Sequence, residues 1–288
     1  MSSKSSTQKK NSASTKKSAS QKRLLTPTQC KLSVNVNKIA TLRNSRGGDT
    51  PHLLSCVKDI IHFGAEGITV HPRPDERHIR RKDVYDLRDL LHVINKSRKK
   101  NKIEFNIEGY PSSDFLKMVQ EIHPDQVTLV PDAEDAITSN AGWELAKNEK
   151  ALTEVVQFLK ENHIRCSLFI DVFKFSKEES AALSQIKPER VELYTEKFAK
   201  DYDTTARKVT TDAYLKVASD ISKIHGIAIN AGHDLNSKNV RFLLTQIPEI
   251  IECSIGHALM SEALYLGLER TIQLYLREMQ GARSINKS

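Results

Sequence analysis

The sequence lacks long apolar runs and the residue patterns that mark membrane or secreted proteins. No apolar stretch approaches the ~20 residues that a helix needs to cross a bilayer. The first 23 residues are rich in Ser, Lys and Gln, without the apolar core of a secretory signal. These absences predict a cytoplasmic protein that has no membrane partner.

Patterns that bind metals are missing as well. The four cysteines, Cys30, Cys56, Cys166 and Cys253, are scattered without a CxxC pair, which predicts free thiols in a reducing compartment. The ten histidines lie in separate segments, without HxH or HxxEH spacing. The sequence therefore predicts no metal site and favours acid–base chemistry carried by side chains.

Acidic residues are absent from the N-terminal stretch, and this accounts for most of the net charge of +8. Residues 1–23 contain seven Lys and Arg, so the rest of the chain is close to neutral. Residues 1–28 are too polar to build a core and are predicted to form a disordered tail. A nucleic-acid-binding protein built on this tail is one alternative, which predicts salt-dependent binding that is lost on deleting residues 1–23. The near-neutral body instead predicts no specific nucleic-acid partner.

From residue 31 onward, short strand-like runs alternate with longer helical patterns. Each run is rich in Val, Ile, Leu or Phe and is bounded by polar residues, Gly or Pro. The predicted strands are 32–37, 67–72, 102–108, 126–131, 165–171, 190–195, 227–232 and 249–256. Between them, stretches such as 83–97 and 151–163 repeat apolar residues at three- and four-residue spacing, which is typical of a helix with one buried face.

The regular alternation predicts a (β/α)₈ barrel, also called a TIM barrel. Parallel strands need a crossover helix between them, and eight such units in about 250 residues match the size of this α/β fold. An open, doubly wound sheet is the alternative. The first strand–helix turn, however, lacks the GxGxxG pattern expected of a dinucleotide-binding sheet.

Polar, ionisable residues gather where the predicted strands end. Catalytic residues of such a barrel lie at this C-terminal face. The candidates are Asn35, Asn37, Lys38, His71, Arg73, His78, Glu108, Glu192, Asn230, His233 and His257. A single Asn or His at such a place is usually a turn former or a hydrogen-bonded structural residue. The number that converges on one face favours an active site.

The last two strands carry a pattern typical of phosphate binding. Both are followed by Gly-His, in GHDL at 232–235 and in GHAL at 256–259. In these barrels the loops after strands seven and eight often hold a phosphate, because Gly lets the backbone approach and a helix start points N–H groups at the anion. Two glycines that simply end strands are the alternative interpretation.

The charged segment 71–83 indicates a second anion site. Arg73 and His78 precede a predicted helix, and Arg is suited to bidentate contact with phosphate. Arg46, in the segment after the first strand, could join either anion site. A solvated charged loop is the alternative for this segment.

Six segments, in order, resemble the pyridoxine 5′-phosphate synthase family. They are 33–47, 67–79, 105–108, 167–171, 230–235 and 254–260. The resemblance implies a barrel with a few extra helices over 29–283 and a short C-terminal tail of 284–288. It also implies a homo-octamer that needs no metal or organic cofactor.

The resemblance further implies a reaction of two small phosphorylated substrates. The expected enzyme condenses 3-amino-2-oxopropyl phosphate with 1-deoxy-D-xylulose 5-phosphate to give pyridoxine 5′-phosphate, phosphate and water. By resemblance, His71 is the general base, Glu108 a second proton acceptor, His233 the general acid and Glu192 a transition-state stabiliser. The residues implied to hold the amino-ketone phosphate are Asn35, Arg46, Asp234, Gly256 and His257, with Asp234 and Gly256 acting through backbone N–H groups. Those implied to hold the sugar phosphate are Arg73, His78 and Thr138.

The chain departs from the family pattern at two places. The family commonly has Asp-His after the first strand, at positions that contact the sugar phosphate, where this chain has Asn37 and Lys38. It also often has Gly after the acid histidine, where this chain has Asp234. Other phosphate-binding barrels, such as an isomerase, an aldolase or a thiamine phosphate synthase, remain alternatives. A Schiff-base aldolase needs a buried Lys at a strand end, and only Lys38 approaches that position.

Overall fold

Eight parallel strands pair in chain order, and the last pairs with the first to close a barrel. The computed structural model describes residues 30–131 and 141–285, apart from the side chains beyond residue 282. The strands are β1 (Lys31–Asn35), β2 (Gly67–Val70), β3 (Glu104–Gly109), β4 (Gln126–Leu129), β5 (Arg165–Ile170), β6 (Arg190–Tyr194), β7 (Ala228–Gly232) and β8 (Ile250–Ile255). The predicted (β/α)₈ barrel is confirmed, and the alternative of an open sheet is wrong. The predicted tail of residues 1–28 lies outside the described residues.

Helices form the outer layer of the barrel. Those of the described residues are α1 (Asn37–Asn44), α2 (Leu53–His62), α3 (Arg81–Lys96), α4 (Ser113–Ile122), α5 (Leu145–Glu161), α6 (Lys177–Ile186), α7 (Glu196–Asp201), α8 (Arg207–Ser222), α9 (Val240–Gln246), α10 (His257–Leu266) and α11 (Leu268–Ile285). Two helices rather than one follow β1, β6 and β8, and these are the extra helices that the resemblance implied. Across the described ranges, no helix is both long and apolar enough to cross a membrane.

Helix α3 shows how the sequence directs this packing. Val84, Leu87 and Leu91 recur at three- and four-residue spacing and are buried against the barrel. At the helix start, an Asp83 carboxylate oxygen accepts the backbone N–H of Arg80 at 2.7 Å. A carboxylate is stabilised there because the first N–H groups of a helix carry partial positive charge. The predicted helix over 83–97 is thus confirmed.

The barrel interior holds a charged layer near the N-terminal ends of the strands. Lys31 of β1 contacts Glu104 of β3, and Glu104 pairs with Arg165 of β5 at 2.6 Å. Strands that are not neighbours can meet in this way only through the interior. Burial raises the pKa of Glu104, but the Lys31 hydrogen bond and the Arg165 and Arg190 charges outweigh it and lower the pKa to about 2. Arg190 also pairs with buried Glu252 at 2.9 Å.

Above this layer, uncharged polar side chains fill the part of the interior that β1 to β4 surround. The hydroxyls of Ser33 and Thr69 lie 2.8 Å apart, and the Asn106 amide joins Thr69 to Thr128. Barrel interiors of this fold are usually filled by branched apolar side chains. Here the apolar core lies instead between the strands and the helices, where the alternate strand residues are buried. The barrel interior is therefore charged near the N-terminal ends of the strands and polar toward their C-terminal ends. We call the opening at the C-terminal ends the mouth of the barrel.

Candidate active site

The ends of β1, β2 and β3 bring three predicted site residues together. The Nδ1 atom of His71 lies 3.9 Å from Oε2 of Glu108, and the Asn35 amide donates to the same oxygen at 3.3 Å. His71 follows β2, and its side chain is only 8% exposed. Burial, reinforced by the charges of Arg73 and the nearby His78, lowers the pKa of His71 well below 6.5. His71 is therefore neutral near pH 7 and can accept a proton.

Asn37 holds the backbone next to the candidate base. Its position at a predicted strand end did not indicate this structural role. Its side-chain oxygen accepts the backbone N–H of His71 at 3.0 Å, and its own N–H donates to the Asn35 side chain at 3.0 Å. Asn37 thereby joins the end of β1 to the segment that carries the candidate base. Its predicted contact with a substrate stays a prediction.

A buried carboxyl lies within β6. Glu192 is 3% exposed, and its Oε2 atom has no hydrogen-bond partner among the described residues. Burial, with the nearby charges of Glu108 and Glu252, raises the pKa of Glu192 well above 4.5. Gly232 of β7 leaves room for this group, because a Cβ there would lie 2.1 Å from Oε1 of Glu192. The carboxyl can therefore stay protonated and donate a hydrogen bond.

The segment after β7 holds His233 against two neighbours. Its Nδ1 atom lies 3.0 Å from Oδ2 of Asp234, and its ring meets the Tyr194 ring edge-on at 5.0 Å between centroids. The Thr195 hydroxyl contacts the carbonyl oxygens of Gly232 and His233. The Asp234 carboxylate thus faces the His233 ring. The backbone N–H of Asp234 is the group that the family resemblance implied to bind phosphate.

The start of α10 lies where the sequence predicts a phosphate site. Gly256 is the N-cap of this ten-residue helix, so the N–H groups of the first turn lack partners within the helix. A Cβ at Gly256 would lie 2.9 Å from Cβ of Asn35, which explains the need for Gly where β8 passes β1. His257 is exposed at the helix start and close enough to lower the pKa of Asp234. The loops after β7 and β8 therefore meet.

A buried arginine lies beside two histidines next to β2. Arg73 is 5% exposed, and the rings of His71 and His78 are 6.2 Å apart. Burial and the charges of Arg73 and Lys38 lower the pKa of His78 to about 4. A cavity of ≈ 140 Å³ opens between His71, Arg73 and the start of α4. The mouth therefore has Arg73 and two histidines near β2, and the start of α10 near β7 and β8.

Comparison with known proteins agrees with this arrangement. The family model of "Pyridoxal phosphate biosynthesis protein PdxJ" matches residues 32–281. The chain belongs to this family. A pyridoxine 5′-phosphate synthase of Christiangramia forsetii is 51% identical over 249 residues, which cover 86% of this chain and 98% of the relative. One of Bacteroides thetaiotaomicron is 50% identical over 245 residues, which cover 85% and 97%.

Solved structures outside the PdxJ family share the barrel fold. Tryptophan synthase from M. tuberculosis superposes with a TM-score of 0.59 at 12% identity, covering 89% of this chain and 94% of that chain. Thiamine phosphate pyrophosphorylase from Pyrococcus furiosus gives 0.54 at 12% identity, covering 89% and 98%. At such low identity, the likeness concerns the fold alone.

Two further predicted site residues of this PdxJ-family barrel, Lys38 and Arg46, are exposed and lie apart from the buried groups. Lys38 is exposed at the start of α1, although its charge reaches His78. A Schiff-base aldolase is therefore disfavoured, because its Lys would be buried. Arg46 is exposed in the turn after α1. Thr138 lies outside the described residues.

Some contributors to the mouth were missed by sequence reasoning. Val130, Phe169 and Tyr194 form a small apolar cluster separate from the main core, and Phe169 meets Tyr194 at 5.1 Å between ring centroids. Phe169 and Tyr194 share the alternation of the inward polar residues in β5 and β6, and Val130 continues that alternation just after β4, which was the available signal. In residues 30–131 and 141–282, no group of three or more His, Cys, Asp or Glu side chains is placed to hold a metal ion.

Proposed function

We propose that this chain is a pyridoxine 5′-phosphate synthase. It condenses 3-amino-2-oxopropyl phosphate with 1-deoxy-D-xylulose 5-phosphate and yields pyridoxine 5′-phosphate, phosphate and water. The observation that carries this proposal is a single mouth that holds His71 and Arg73 near β2 and His233 near the start of α10. The two relatives that bear this name are about half identical to the chain and are covered over 97–98% of their length.

The two ends of the mouth suit two substrates. We assign the sugar phosphate to Arg73 and His78, and the amino-ketone phosphate to the start of α10 with Asn35 and His257. Thr138 and Arg46 keep their implied roles in these two sites. Holding both substrates side by side turns a bimolecular step into a unimolecular one, which contributes on the order of 7–11 kcal/mol.

The proton transfers are assigned to four side chains. Imine formation, phosphate elimination and ring closure each require a base to remove a proton or an acid to supply one. His71 serves as the general base because burial keeps it neutral, and Glu108 beside it is the second proton acceptor. His233 is the general acid. Glu192, with its raised pKa, donates a hydrogen bond to charge that develops on the reacting ring.

These four groups can carry the proton transfers without a metal or organic cofactor. We also propose that the enzyme works in the cytoplasm, because phosphorylated substrates do not cross membranes unaided and are used where they are made.

A homo-octamer is the proposed assembly. The strongly exposed Leu264 and Tyr265, at 80% and 91%, give the end of α10 an apolar surface of the kind that protein contacts cover. A monomeric mass in solution would contradict the octamer.

The reaction is tested by supplying the substrates together and separately. Purified full-length protein with both substrates should release pyridoxine 5′-phosphate and inorganic phosphate in equal amounts. Either substrate alone should yield no pyridoxine 5′-phosphate. Chromatography identifies the pyridoxine product, and a colorimetric assay quantifies phosphate. Folded protein that forms no pyridoxine 5′-phosphate from the pair would reject the proposed function.

A further inference from the structure

We infer that Asp234 is a positioning residue for His233: its carboxylate holds the Nδ1 proton of the ring and leaves Nε2 as the nitrogen that faces the substrates. This inference rests on the proposed function and deepens it. It also gives the Asp234 side chain a role, whereas the family resemblance implied one only for its backbone N–H.

The backbone shows that the contact is built into the turn. His233 has φ of 76° and Asp234 has φ of 59°, so two consecutive residues other than Gly adopt the left-handed region. Side chains rarely tolerate this region, although Asn, Asp and His are enriched in it. Consecutive residues of a strand point to opposite faces, whereas this turn places Oδ2 of Asp234 3.0 Å from Nδ1 of His233.

Neighbouring groups hold the turn and the ring in place. The Thr195 hydroxyl contacts the carbonyl oxygens of Gly232 and His233, which fixes the backbone on the β6 side. The Tyr194 ring meets the His233 ring at an angle of 83°, and the Tyr194 hydroxyl donates to Glu196. The ring is thus fixed by an aromatic contact and by the Asp234 carboxylate. Strained residues that are held so firmly are a feature of functional sites.

The carboxylate is charged and can only accept hydrogen bonds. The hydrogen bond with His233 lowers the pKa of Asp234 although burial opposes it, so Asp234 is ionised near pH 7. Because an ionised carboxylate has no proton to donate, its hydrogen bond at 3.0 Å requires the proton to lie on Nδ1 of His233. The other ring nitrogen, Nε2, is then the one left to exchange a proton with the substrates.

Other titratable groups lie close to the His233–Asp234 pair. Glu192 packs against Gly232 from β6, and Tyr194 with Glu196 adjoins the ring. His257 faces Asp234 from α10, and Asp171 acts on Tyr194 from the end of β5. A variant that changes only the Asp234 charge leaves all of these groups in place.

Two variants separate charge from orientation. Asp234→Asn keeps an oxygen that can accept the Nδ1 proton but removes the charge, and Asp234→Gly removes both. Asn and Gly both tolerate positive φ and retain the backbone N–H, so the fold and the implied phosphate contact should persist. Thermal unfolding of each full-length variant should show no loss of Tm.

The expected result has two parts. Nitrogen-15 NMR of the neutral His233 ring should show the Nδ1–H tautomer in the unaltered protein and a shift toward Nε2–H in Asp234→Gly. The kcat should fall further in Asp234→Gly, which removes the acceptor of the Nδ1 proton, than in Asp234→Asn, which keeps one. KM for the amino-ketone phosphate should stay within about threefold, because the backbone N–H is retained.

The NMR measurement needs no turnover, so it tests the inference even if the proposed reaction fails. An Nε2–H tautomer in the unaltered protein would overturn the inference. An unchanged tautomer in Asp234→Gly, with an unchanged Tm, would overturn it as well. A lower Tm in both variants with an unchanged tautomer would assign Asp234 to the turn alone.

Discussion

Replacing His233 with Ala is expected to lower kcat for the condensation by about 10²–10⁴-fold. The ring is the proposed general acid, and Ala supplies no proton donor at its place. Steady-state rates with both substrates saturating would measure the loss. Because φ of 76° suits Asn better than Ala, His233→Asn provides a second inactive variant with less backbone strain.

A matched control is available on the same chain. His225 is exposed in the turn before β7, at the opposite end of the strand from His233. His225→Ala should keep the rate of the unaltered protein. Near-normal turnover of folded His233→Ala and His233→Asn would remove His233 from the mechanism.

Replacing Arg43 with Met is expected to lower the free energy of unfolding by about 3–5 kcal/mol. Arg43 is 3% exposed and binds both carboxylate oxygens of Asp83, at 2.6 and 2.8 Å. Met fills much of the same space but leaves a buried carboxylate without its cation. Urea unfolding followed by circular dichroism would measure the change.

The control for this prediction is an exposed ion pair. Arg81 contacts Asp114 at 2.7 Å, with side chains 40% and 77% exposed, so Arg81→Met should cost only about 0–1 kcal/mol. Equal losses in the two variants would show that burial of the Arg43 pair is not what matters.

Arg43 also donates to the His78 carbonyl oxygen at 3.3 Å, so its loss should raise KM for the sugar phosphate.

The architecture could be predicted from the sequence because its signals are local. Each strand is a short β-rich run, and each helix repeats apolar residues at helical spacing, as in 83–97. Once eight such units alternate, the need for parallel crossovers leaves few folds to choose from. The ends of the strands then identified His71, Glu108, Glu192 and His233 as neighbours at one face.

The polar interior could not be predicted in the same way. Lys31, Glu104 and Arg165 are far apart in the chain and meet only because β1, β3 and β5 surround one space. Alternation of polar and apolar residues within each strand showed that two faces exist. It did not show that the polar face points inward, since barrel interiors of this fold are usually apolar.

The finer geometry of the site depends on backbone angles and distant contacts. The Asp234 side chain contacts His233 only because both residues have positive φ. A sequence does not indicate positive φ at residues other than Gly. The Asn37 side chain accepts the backbone N–H of His71, and the register of β1 and β2 brings these two residues together. Sequence patterns therefore predicted which residues gather at the mouth, but not which of them bind one another.

The most direct test of the central claim is the turnover rate of the full-length enzyme before and after exhaustive chelation. The claim is that His71, Glu108, Glu192 and His233 carry all proton transfers between the two bound substrates. The expected result is an unchanged rate of pyridoxine 5′-phosphate and phosphate release, with no gain on adding Mg²⁺, Mn²⁺ or Zn²⁺. A rate that disappears on chelation and returns with one of these ions would contradict the claim.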